Sequence, residues 1–201
     1  MRVFTLIFVF SVFSGLVQAE YLQYRSDIRP KYYNDVWQNQ SELATRIDYD
    51  PDKNQFAFYI KENLYLTSFK LSREQADSLI AAIDKYKEWN LKASKNGVTL
   101  EKEISKVEVS NTSWKLGDDW DFGGKSILII SFFSQSKQRH QLVVSFLKWI
   151  DRFNEFSTHT PETLYFDYDE AIKLKNALSE KAIPEFLEKA KKQAEIEAEF
   201  K

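Results

Sequence analysis

Nine residues, Ser126 to Ser134, set the tightest limit on what this chain can fold into. Ile127, Leu128, Ile129, Ile130, Phe132 and Phe133 follow one another with a single break, so a strand here is apolar on both faces. Such strands belong at the centre of a sheet that is covered on both sides. Ser136-Lys137-Gln138-Arg139 then supplies a polar turn, and Gln141 to Ile150 runs back as a second apolar segment. The pair predicts an antiparallel hairpin at the sheet centre. Its charged turn separates two aggregation-prone strands.

The rest of the sheet is announced by alternation. Phe56, Phe58 and Ile60 alternate with Ala57 and Tyr59, and Leu64 to Phe69 alternates again after the turn at Lys61-Glu62-Asn63. This predicts a hairpin. At Ser72 the period becomes helical. Ser72 and Gln75 stand at the spacing of a capping box, and Ala76, Leu79, Ile80, Ile83 and Tyr86 form one apolar stripe. Asn96-Gly97 closes that helix, predicted over Ser72 to Lys95, with glycine as the left-handed cap. Val98 to Leu116 is extended, with Val107 and Val109 inward, and Gly117 to Gly124 is expected to be a loop.

The same grammar returns near the end of the chain. Leu164-Tyr165-Phe166 is strand-like, Asp167 and Glu170 suggest a second capping box, and Ala171, Leu174, Ala177 and Leu178 make a second stripe. Matched to Leu64-Tyr65-Leu66 and to Ala76, Leu79, Ala82 and Ile83, they suggest a duplicated hairpin–helix unit. The plainer alternative is that any strand-to-helix junction uses these devices. Pro184 breaks or restarts the helix, and a charged helical tail follows over 185–201, apolar at Phe186, Leu187, Ala190 and Ala194. The expected fold is a single α+β domain with a mainly antiparallel sheet and two capped helices on one face.

The N-terminal region reads as an address. Met1-Arg2, the apolar run from Val3 to Val12 and Val17-Gln18-Ala19 have the order of a cleavable signal segment over 1–19. The apolar run is too short to span a bilayer, so no membrane span is expected after cleavage. The mature chain would begin at Glu20 and carry a net charge of −3. This mild, mixed charge gives no footprint for nucleic acid. Residues 20–50 are polar with scattered aromatics; Tyr21 to Tyr24 reads as a short strand and Val36 to Ile47 as a short helix. The core domain is expected over 51–184. The chain has no cysteine, which fits a bacterial exported protein stabilised by its core rather than by disulfides. The expected location is the periplasm or the extracellular space.

Several chemistries are excluded or unsupported. Cysteine nucleophiles and thiolate metal sites are impossible, and no phosphate-binding loop, nucleophile elbow or zinc-protease helix occurs. His140 and His159 have no partner at motif spacing and read as ordinary surface histidines. Asp118, Asp119 and Asp121 lack the order of a calcium loop and read as a polar connection. No cofactor or metal is expected. Five tryptophans stand in the chain. Trp89, Trp114 and Trp149 fall within elements and are assigned to the core, whereas Trp37 and Trp120 lie in polar surroundings and are the candidate interaction residues. The leading expectation is a non-catalytic envelope protein that binds another protein or a cell-wall component. The alternatives are a cofactor-free carboxylate hydrolase and an accessory subunit acting through the C-terminal helix.

Overall fold

A computed structural model of the chain describes residues 27–35 and 38–200. The expected signal segment, the Tyr21–Tyr24 strand, Val36 and Trp37 lie outside the described residues. The rest forms one α+β domain built on a ten-stranded, curled antiparallel sheet. Its strands are β1 (Lys31–Asn34), β2 (Asn39–Glu42), β3 (Ala44–Asp50), β4 (Gln55–Lys61), β5 (Tyr65–Ser72), β6 (Leu100–Leu116), β7 (Asp119–Phe122), β8 (Ser126–Ser134), β9 (His140–Phe146) and β12 (Leu164–Phe166). A separate two-stranded ribbon pairs β10 (Trp149–Ile150) with β11 (Thr158–His159). The helices are α1 (Arg73–Asn96), α2 (Tyr168–Ala177) and α3 (Ile183–Ala198). Strand order is β2-β1-β12-β9-β8-β6-β5-β4-β3, with β7 beside β6.

The hairpin of β8 and β9 lies at the centre as expected, with Ile130 opposite Val144. The expectation of burial on both faces is corrected. Leu128, Ile130 and Phe132 are buried beneath the helices, whereas Ile127, Ile129 and Phe133 face outward and are half-buried. Glu108 stands opposite Ile127 and Lys106 opposite Ile129, so long charged side chains flank the apolar groups where no helix does. The partner strand also ends earlier than expected, at Phe146. Trp149 leaves the sheet to pack inward, at 5.9 Å from Phe146 and 6.4 Å from Trp114.

Helix α1 starts as its sequence dictates. Gln75 N–H donates to Ser72 Oγ at 3.3 Å, and Ser72 N–H donates to Gln75 Oε1 at 2.8 Å, so two orphan donors are satisfied reciprocally. Gly97 ends it at φ 66°, its N–H donating to Ala93 O. At α2 the expected capping box is absent. Asp167 occupies the N-cap but makes no cap bond; its carboxylate takes the Lys31 ammonium at 2.5 Å and Gln141 at 2.8 Å. A cation is a stronger partner than a backbone amide. Burial opposes the charged form of Asp167, and these two donors outweigh it, holding the carboxyl below its usual range. Glu170 reaches back instead to Arg29 N.

The connectivity repeats along the sheet. The strands β3-β4-β5 lead into α1, and β8-β9-β12 lead into α2, each as an antiparallel meander of three. The position after each trio is filled by β6 in the first unit and by β1 in the second. One offset of 95 residues matches strand and helix together: Phe69, Leu71, Ala76, Leu79 and Ile83 with Leu164, Phe166, Ala171, Leu174 and Leu178, all buried. The strand parallel thus falls on Phe69 and Leu71 rather than on Leu64 to Leu66.

Two further expectations are overturned. The helix expected from Val36 to Ile47 is replaced by β2 and β3. Leu43 and Ile47 sit four apart, which imitates a helical face, but Leu43, Thr45 and Ile47 are all buried at period two. The loop expected at 117–124 contains β7, paired to β6 through a two-residue turn at Gly117-Asp118, where Gly117 has φ 65°. Beside it β6 carries a bulge, where its pairing with β5 shifts register between Ser110 and Ser113. Asn111 takes φ 49°, and a side chain on Gly123 would place a Cβ 2.2 Å from Thr112 Oγ1.

Candidate binding surface

The ribbon β10–β11 is folded under one end of the molecule, and the loop joining its strands is the most exposed apolar feature there. Phe153 is 85% and Phe156 89% exposed, and Ile150 and Leu147 are exposed beside them. The loop is nonetheless held tightly. Buried Asp151 accepts the N–H groups of Phe153 and Asn154 at 2.8 Å and, across the gap to β7, that of Phe122 at 2.7 Å. Arg152 N–H returns a bond to Phe122 O. Burial opposes the charge on Asp151, and the backbone donors outweigh it, so its carboxyl lies below the usual range. Asn154 repeats the device, accepting from Phe156 N–H through its side chain and from Ser157 N–H through its carbonyl.

These bonds bring β7 into the same surface. Phe122 is exposed, and Trp120 is half-buried opposite Lys115, whose ammonium lies 5.9 Å from the indole centroid. Trp120 therefore belongs to the aromatic end of the molecule, while Trp37 lies outside the described residues. Trp114 and Trp149 are buried and Trp89 is partly so, as their positions in elements suggest.

Behind the loop stands a buried polar group that a linear search does not find. His159 on β11 and Glu62 at the end of β4 are 9% and 4% exposed. Nε2 of His159 lies 2.9 Å from Glu62 Oε2, and Thr67 on β5 donates to the same oxygen at 2.8 Å. Glu162 N–H donates to Glu62 Oε1 at 2.8 Å. Thr67 Oγ1 also lies 3.0 Å from the same ring nitrogen, so Glu62, Thr67 and His159 form one buried polar cluster. Trp114 stacks on the imidazole and Tyr65 lies tilted against it at 4.6 Å, which closes the pair off from water. The side chain of Glu162 feels the consequence: burial first, then the charges of Glu62 and Asp35, push its carboxyl up. The expectation of a surface histidine is corrected here, and again at His140. That ring is buried against Phe132 and lies 2.9 Å from Ser134 Oγ and 3.1 Å from Ser94 Oγ, which joins the β8–β9 turn to α1.

The Glu62–His159 pair is buried and ties the ribbon to the end of β4. Trp149 pairs with His159 in the ribbon, and the loop springs from that pairing. The bonded imidazole thus fixes where Phe153 and Phe156 are presented. A shallow cleft of about 190 Å³ lies elsewhere, between the end of α1 and the start of β6. Trp89 and Phe132 line it, with Lys92 and Lys102 at its sides, and it holds no carboxylate. Among the described residues no three ligand-type side chains are grouped to hold a metal ion, and no helix is long and apolar enough to cross a membrane. Comparison with protein families, curated proteins and solved structures finds no match to this chain.

Proposed function

We propose that the mature chain is an exported, non-catalytic binding protein of the bacterial cell envelope that holds an envelope component against its aromatic end. The observation that carries this reading is the pairing of Phe153 and Phe156, almost fully exposed, with a loop whose backbone is pinned by Asp151 and Asn154. Exposed aromatics on a fixed frame lose little conformational entropy on binding, which is what an anchor residue needs. The cleft beside Trp89 lacks the paired carboxylates that a hydrolase of this kind would use. The order of charge, apolar run and small residues over 1–19 supports the export part of the reading.

The test is retention on the isolated envelope fraction of the source cell. The mature protein is expected to sediment with that fraction. Its Phe153→Ser/Phe156→Ser variant is expected to stay in the supernatant with an unchanged melting temperature. Equal retention of the two proteins, or none of either, would contradict the reading.

A further inference from the structure

The chemistry of the loop identifies what it enters. Six of the seven N–H groups from Asp151 to Ser157 donate to acceptors inside the protein. Asp151 gives to Ser157 O, Arg152 to Phe122 O, Phe153 and Asn154 to the Asp151 carboxylate, Phe156 to the Asn154 side chain and Ser157 to Asn154 O. An exposed loop in water gains little from such completeness, because water serves its amides equally well. A loop that enters a lipid interface needs it, since unpaired backbone donors there are costly. The aromatic side chains also protrude, which suits a fluid acceptor that needs no matching pocket.

The charges point the same way. Asp151 spends its carboxylate on backbone donors, which leaves Lys148, Arg152 and Glu155 as the exposed charges from Leu147 to Ser157. Neither cation has an ion-pair partner among the described residues. The loop with the residues leading into its ribbon thus presents two cations and one anion. The acidic turn at Asp118 and Asp119 lies at the far end of β7, three or four residue steps from Phe122, and half-buried Asp121, next to Phe122, falls on the opposite face of the strand. The turn is thus about 10 Å away along the strand, a full screening length at physiological salt. Long cationic side chains beside buried aromatics can reach lipid phosphates while the rings sit below them.

We infer that the loop Asp151–Ser157 is a membrane-surface anchor, in which Phe153 and Phe156 enter the interface of an anionic bilayer and Lys148 and Arg152 meet its phosphates. The inference rests on the binding role proposed for this end of the molecule and names its partner as lipid. It involves no spanning segment.

Flotation of the mature protein with vesicles tests it, using phosphatidylcholine alone and an equimolar mixture with phosphatidylglycerol. The mature protein should float with the mixed vesicles and much less with phosphatidylcholine. Each phenylalanine withdrawn from water is worth about tenfold in partition, so Phe153→Ser/Phe156→Ser should lose about a hundredfold. Lys148→Ser/Arg152→Ser should reduce binding to the mixed vesicles to the level of phosphatidylcholine. Melting temperatures of both variants should match the parent, because all four side chains are exposed. Absence of flotation, indifference to lipid charge, or flotation unaffected by the phenylalanine substitutions would overturn the inference. If vesicles fail while envelope retention stays dependent on Phe153 and Phe156 and is abolished by protease treatment of the envelope, the partner is a protein. The lipid assignment then falls and the binding role stands.

Discussion

Asp151 is the residue on which the aromatic loop turns, and its chemistry gives the loop a defined response to acid. Its carboxyl is held below the usual range by backbone donors that outweigh burial. A depressed carboxylate contributes stability that is complete above its unfolded value, about 3.9, and is lost as pH falls through the folded value. Amide exchange at Phe153 and Asn154, corrected for intrinsic rate, should therefore be constant from neutrality to about pH 5 and accelerate only below about pH 4. Asp151→Asn should bring the faster exchange to neutral pH. Loss of protection already at pH 6 would assign the control to another group. His159 makes the second residue-scale prediction. Removing the imidazole leaves Glu62 as a buried carboxylate with Thr67 and one amide for company. His159→Ala should cost about 3 kcal/mol in urea unfolding, the penalty of an uncompensated buried charge. A change below about 1 kcal/mol would show that the pair does not fasten the ribbon.

Elements differ in how far the sequence exposes them, and the reasons are physical. The start of α1 is legible because its capping residues are three apart and touch only each other. The start of α2 is not, because Asp167 has Lys31 available, 136 positions away in the chain and brought near by β1. The segment from Leu43 to Ile47 carries spacing compatible with both periods, and pairing with β4 decides it. The β7 strand hides in a run of glycine and aspartate that reads as loop, since its partner β6 supplies the order. Phe153 and Phe156 lie just beyond the strand expected to end at Ile150, where no periodicity marks them, and Trp120, the expected interaction residue, stands on β7, the strand bonded to their loop. Glu62 and His159 left no local trace at all. The C-terminal helix offers the element-scale test. Phe186 packs on Phe56 at 6.1 Å, whereas Leu187, Ile196 and Phe200 are exposed. Deleting residues 195–201 should leave the melting temperature nearly unchanged, because only the first turns are docked. Phe186→Ala should lower stability by about 1–2 kcal/mol, less than for a fully buried phenylalanine. A large loss on truncation would mean that the tail packs along its whole length.

At the scale of the whole molecule, the sheet divides the labour. Among the described residues one face carries the three α-helices and the core, and β8 and β9 run through the centre of the sheet. The strand β6 is paired along one edge by β8 and then β7, and along the other by β5 only from Ser110 onward, which lets the sheet curl. That curl gathers β7, the end of β4 and the ribbon at one end of the molecule, where the buried Glu62–His159 pair fastens the loop and Asp151 shapes it. The binding role proposed for the chain belongs to this end. Hydroxyl-radical footprinting of the mature protein, free and on its envelope fraction, reads the exposure of individual aromatic rings. Oxidation of Phe153 and Phe156 should fall sharply on binding, while exposed Leu91 and Val98, elsewhere on the surface, should be unchanged. Undiminished oxidation of Phe153 and Phe156 in the bound state, with protection at other residues, would contradict the account.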